Sequence, residues 1–86
     1  MNYQRYKNYS RKGDILDEKS LERLRNMYPV GTRVRLLYMD DIQAPPHNTL
    51  GTIKNIDDMG TIHVLWDTGS SLGLVNGVDR FETIVD

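Results

Sequence analysis

The chain has 86 residues, a formal charge of −1, and 38% apolar against 27% charged side chains, a balance that suits one small domain with at most a short appendage. No apolar run approaches membrane-spanning length, no secretory core follows Met1, and cysteine is absent, which excludes disulfides, thiolate metal sites and cysteine nucleophiles. The expected location is the cytoplasm, and the near-zero charge provides no global attraction to nucleic acid or to an anionic membrane.

The charge is unevenly placed. Residues 1–13 carry Arg5, Lys7, Arg11 and Lys12 and no acid, whereas the remainder holds seven basic and twelve acidic side chains. This first segment also lacks Leu, Ile, Val and Phe, so it buries too little apolar surface to offset the entropy of ordering and reads as a flexible basic, tyrosine-rich tail.

Residues 14–29 read as a helix region. Asp17 or Ser20 supplies a cap, and Glu18 and Glu22 favour the positive helix start. Leu21, Leu24 and Tyr28 recur at three- and four-residue steps to form an apolar stripe, with Met27 beside it, and Pro29 ends the helix. A helix of about ten residues is unstable alone in water and must dock on a larger surface.

That surface is expected from residues 30–86, where the apolar period changes from 3.6 to 2. Thr32 to Tyr38 alternates, with Val34, Leu36 and Tyr38 inward and Arg33 and Arg35 outward. The outward arginines suit phosphate contact or the protection of an edge from mispairing. Leu50 to Asp57 gives a second strand, where Gly51 signals a bulge or a close backbone approach. Thr61 to Trp66 follows with Ile62, Val64 and Trp66 inward, then short strands over Ser71–Val75 and Glu82–Val85. Gly60 and Gly69 end the two hairpin turns, where a left-handed residue is required. Five short strands are too few for a two-sheet sandwich, so the expected fold is mainly β: a small five-stranded SH3-like barrel with one short N-terminal α-helix docked across an opening. The ten residues Asp40 to Thr49 form its long first loop, and Asn76 to Arg80 a helical turn before the last strand.

Gly31-Thr32-Arg33-Val34, Gly51-Thr52-Ile53, the run Ile62 to Ser70, and Gly77-Val78-Asp79-Arg80-Phe81 together resemble a bacterial domain-of-unknown-function family. That family is similar to SH3-like barrels and occurs mostly on prophages and conjugative elements of Gram-positive bacteria. The resemblance covers about residues 29–85. It implies a fold and a mobile-element setting, which suits a regulator or counter-defence inhibitor, and it carries no mechanism. The cadence of Gly51-Thr52 with Val64-Leu65-Trp66-Asp67 is also similar to ubiquitin-ligase-associated and chromatin-associated SH3-like modules that bind peptides.

Asp67-Thr68-Gly69-Ser70-Ser71 resembles an aspartic-protease signature, but nineteen residues after Asp67 leave no room for the flap and second loop of such an enzyme. The structural reading makes Asp67 the opening of a hairpin. His47 shares a loop with Asp40 and Asp41 without metal-ligand spacing, and His63 lies on the outward phase of a strand. Nothing in the sequence brings Ser70 or Ser71 near a base. No enzyme, metal or cofactor is therefore expected.

Trp66 falls on the inward phase, Phe81 is expected to plug the barrel end, and Arg80 to bridge a turn carboxylate such as Asp67 or backbone carbonyls. Tyr38 with Asp40, Asp41, Pro45 and Pro46 forms the leading candidate site, a first-loop face for a protein or peptide carrying Lys or Arg. The alternative site is the tail, where Tyr3, Tyr6 and Tyr9 alternate with Arg5, Lys7, Arg11 and Lys12, a pattern able to stack on unpaired bases while neutralising phosphates.

Overall fold

A computed structural model describes residues 17–85. They contain a helix, α1 (Glu18–Met27), and the strands β1 (Arg33–Tyr38), β2 (Leu50–Ile56), β3 (Thr61–Trp66), β4 (Leu74–Val75) and β5 (Arg80–Thr83). The proposed tail residues Tyr3, Arg5, Tyr6, Lys7, Tyr9, Arg11 and Lys12 lie outside the described residues.

Asp17 caps α1, its carboxylate accepting from Ser20 N at 2.7 Å, and Tyr28 N–H donates to Leu24 O before Pro29 ends the helix. Leu21 and Leu24 are buried in the core, while Met27 is 61% exposed. Two contacts fix the last turn. The Arg25 guanidinium donates to Ile56 O at 2.8 Å, at the end of β2, and to Asp58 at 3.2 Å. The Tyr28 ring packs on Phe81 of β5, with centroids 5.2 Å apart and planes tilted by 57°. Phe81 is thus the helix's partner at the sheet margin and is only partly buried.

The five strands form one antiparallel sheet in the order β4-β3-β2-β1-β5. The expectation of a closed barrel is corrected, because β4 and β5 stand at opposite edges and do not pair among the described residues. The cause is local. β4 has two residues, and Val75 N–H donates to the Asp79 carboxylate at 2.7 Å rather than to another strand. Val75 O accepts from both Val78 N and Asp79 N, so the chain turns at once and starts β5 beside β1. Buried Asp79, 5% exposed, is therefore the device that ends the sheet on this side.

β3 matches its expected span, and Ile62, Val64 and Trp66 are buried with Val34, Leu36, Ile53 and Leu74. The last two strands differ from expectation. The fourth covers only Leu74–Val75, since the preceding residues take part in loop bonds: Trp66 Nε1 donates to Leu72 O at 2.8 Å and Leu72 N to Ser70 Oγ at 3.3 Å. The fifth lies at Arg80–Thr83, two residues earlier than read from the sequence, where it pairs with Val34 to Tyr38. Gly51 makes a close approach: a Cβ there would sit 2.6 Å from Val64 Cγ1 and 2.7 Å from Trp66 Cε3. The bulges are elsewhere, between Leu36 and Tyr38 on β1 and between Ile53 and Asn55 on β2.

Candidate functional site

The bulge in β1 resets the alternation of side chains, since one extra residue on a strand turns every later side chain to the other face. Tyr38, read as inward, is 57% exposed, and Met39 takes the buried place. Tyr38 and Pro45 line a small hollow of about 180 Å³ with Leu37, Met39 and His47, whose Nδ1 donates to Leu37 O at 2.6 Å. Asp40 and Pro46 are exposed and do not line it. Asp41 turns its carboxylate back to accept from Gln43 N at 2.8 Å, and Pro46 O accepts from Thr49. The structure therefore brings Tyr38 and Pro45 together, while both aspartates remain outside the hollow.

A larger cavity, about 650 Å³, opens on the outward face of β3. Gln43 of the first loop forms one wall, Asp57 and Met59 of the β2–β3 turn another, and Ser70 to Gly73 a third. Thr61, His63 and Val75 line it from the strands. Thr61 pairs with Val75 and Ile62 with Leu74, so Gly73 is the next residue across from His63 and presents no side chain to fill the space. A volume of this size falls in the range of ligand pockets, roughly 300–1,000 Å³.

Asp57 and His63 are its titratable lining residues. Asp57 Oδ1 accepts from Met59 N at 3.0 Å and Thr61 N at 2.9 Å, closing the turn, and Oδ2 accepts from His63 Nε2 at 2.8 Å. Partial burial works to raise the Asp57 pKa, but the hydrogen bonds from His63, Thr61 and Met59 outweigh it and hold the carboxyl below its ordinary value. An ionised carboxylate only accepts, so Nε2 carries the proton and Nδ1 of a neutral His63 presents a lone pair. No hydrogen bond engages Nδ1 among the described residues. Both side chains are about 40% exposed, within reach of a ligand.

Ser70 and Ser71 share this cavity with the Asp57–His63 pair, a juxtaposition the sequence reading did not anticipate. Neither hydroxyl is hydrogen-bonded to His63, and Ser70 Oγ accepts from Leu72 N instead. The cavity itself was missed at the sequence level. The available signal was the turn-forming Asp57 six residues before a strand histidine, a spacing that a tight hairpin sets diagonally across the strand pair, since His63 itself lies opposite Asn55.

The other turn carboxylate has a structural use. Arg33 grips Asp67 in a two-pronged pair, with contacts of 2.9 and 2.8 Å, and also donates to Thr52 Oγ1 at 2.9 Å. That pairing holds the Asp67 carboxyl below its ordinary range. Asp67 is thus joined to Arg33, not to Arg80, which is exposed. Arg35 lies 3.7 Å from Glu82 on β5, and β1 is interior to the sheet, so neither arginine guards an edge.

Among the described residues, no cluster of three or more His, Asp or Glu side chains is placed to hold a metal ion, and no helix is long and apolar enough to cross a membrane. The fold and cavity define a small, mainly β domain with a helix docked on a single sheet. Residues 17–84 match the family described as Domain of unknown function (DUF4314), and the chain belongs to that family. No curated protein and no solved structure matches it.

Proposed function

We propose that this protein is a non-catalytic binding module that recognises an extended segment of a partner protein through the face framed by its first loop. The observation that carries this reading is the cavity of about 650 Å³, with a first-loop residue, Gln43, as one wall and the β2–β3 turn as another. Pockets of this size suit one or two anchoring side chains, while the rims supply backbone and hydroxyl groups for a main chain. Exposed Ile42 and Met59, at 77% and 54%, add apolar surface next to or on these walls. The strand order, with the last strand returning beside the first, supports an SH3-like reading of the meander even though the sheet is open. A cytoplasmic regulator encoded by a mobile element is consistent with this use, because such a protein acts by occupying a partner and needs no chemistry of its own.

Selection of random peptides on the full-length chain tests the proposal. Enriched peptides should lose at least about tenfold in affinity when the exposed cavity residue Ser71 is replaced by Tyr, a substitution that fills space without adding charge. Tyr38→Ala combined with Asp40→Asn measures how much the smaller hollow contributes. Failure of any peptide to enrich, or equal binding to wild type and to both variants, would reject the proposed face.

A further inference from the structure

Several features of the larger cavity converge on one kind of anchor. Among the described residues its charged lining group is Asp57, and no lysine or arginine lines it. Arg25, the cation nearest in the hydrogen-bond network of this turn, is already engaged by Ile56 O and Asp58. Met59, Leu72 and Val75 supply apolar walls.

Long cationic side chains have two parts with different needs. The methylene stem prefers apolar surface, and the head requires acceptors. Asp57 and His63 provide acceptors with different properties. Three N–H groups already hold the carboxylate in place, so a newcomer meets a fixed anion. The His63 lone pair at Nδ1 has no partner among the described residues, and the bond from Nε2 to Asp57 fixes its tautomer. Ser70 and Ser71 add hydroxyls that accept as well as donate. An acidic anchor would face the Asp57 charge with no cationic residue among the described lining to offset it.

We propose that the cavity receives a lysine or arginine side chain of the partner peptide, with its stem against Met59, Leu72 and Val75 and its head at the Asp57 carboxylate and His63 Nδ1. This assignment rests on the peptide-binding reading above and specifies its anchor. Asp57 supplies the charge, and His63 supplies the second acceptor and steadies the carboxylate.

The test is an NMR titration of the full-length chain with three capped pentapeptides that share Gly and Ser flanks and carry lysine, norleucine or glutamate at the centre. Norleucine keeps the stem and removes the charge. The lysine peptide should shift the amide signals of Thr61, His63 and Ser71 and bind about tenfold more tightly than the norleucine peptide, as expected for one charge-assisted hydrogen bond. Asp57→Asn should abolish that preference, since Asn retains an oxygen for the Met59 and Thr61 N–H groups but has no charge. His63→Gln, which leaves the turn bonds in place, should reduce the preference and provides a second variant if Asn at 57 destabilises the turn. Equal binding of lysine and norleucine peptides at these amides would overturn the cationic anchor and leave the peptide site standing. Tightest binding by glutamate would overturn its sign. If none of the three peptides moves these amides, and selected peptides also ignore Ser71→Tyr, the peptide-binding reading falls with it.

Discussion

Asp57 and Asp67 occupy equivalent places, each just after a strand and opening a tight turn that ends in a left-handed glycine, Gly60 at φ 87° and Gly69 at φ 96°. Their partners differ. Asp67 is gripped by Arg33 through two parallel bonds, and the same guanidinium reaches Thr52, so β1, β2 and the end of β3 are tied together. Directly behind that junction, Gly51 lets the β2 backbone approach the Trp66 ring, and Trp66 in turn bonds Leu72 O. Every strong polar group there has an internal partner. Asp57 instead binds its own turn and a histidine whose second nitrogen meets no hydrogen-bond partner among the described residues, and it does so at the wall of a cavity. Two similar local sequences thus diverge through what the sheet places opposite them: an arginine on one side, a glycine and a hollow on the other.

The largest expected effect lies at the closed junction. Gly51→Ala places a methyl group within van der Waals distance of Val64, Trp66 and Leu65 O, and the first two are fully buried. Neither side chain has space to retreat, so overpacking should cost about 3 kcal/mol and lower the thermal midpoint by roughly 15 °C. A shift below about 3 °C by circular dichroism would show that the sheet absorbs the methyl group and that the junction is looser than described. A smaller effect follows from loosening the clamp alone. Arg33→Lys keeps the charge but gives up the two-pronged geometry on Asp67 and the bond to Thr52. The pair is about half exposed, so the midpoint should fall only by about 2–4 °C. No change would mean that the fork contributes nothing beyond charge.

Much of this architecture is legible in the residues. Ile62, Val64 and Trp66 alternate without interruption, and the structure buries all three, because period-2 burial is a local property of a strand. Leu21 and Leu24 show their stripe for the corresponding helical reason. What escaped depended on single insertions and on pairing partners. The residue added between Leu36 and Tyr38 turned Tyr38 outward, and no alternation pattern marks where such a bulge falls. Closure failed through Asp79, whose side chain engages Val75 N–H, a bond set by a turn four residues long. Arg33, thirty-four positions from Asp67, was legible only as an outward cation, since its partner depends on strand order. The cavity was hidden for the same reason: it requires Gly73 opposite His63 and Gln43 brought across from the first loop.

The acid response should separate the two carboxylates most finely. Both have folded pKa values below their ordinary ones, Asp67 through the Arg33 bonds and Asp57 through bonds from His63, Thr61 and Met59 that overcome its partial burial. A depressed folded value means that the stabilisation is fully present above the unfolded pKa, about 3.9 for Asp, and is lost as pH falls through the folded value. Wild-type stability should therefore drop between roughly pH 5 and pH 2, and Asp57→Asn and Asp67→Asn should each flatten that drop. Salt distinguishes them. The Arg33–Asp67 attraction is between two half-exposed side chains and is screened at high ionic strength, whereas the backbone N–H bonds to Asp57 are short-ranged and resist screening. Urea midpoints at pH 2.5, 4 and 7 should show the Asp67 share of the acid loss shrinking in about 1 M salt while the Asp57 share persists. Equal shrinkage of both would mean that the backbone N–H bonds are not what holds Asp57, and the contrast between the two turns would disappear.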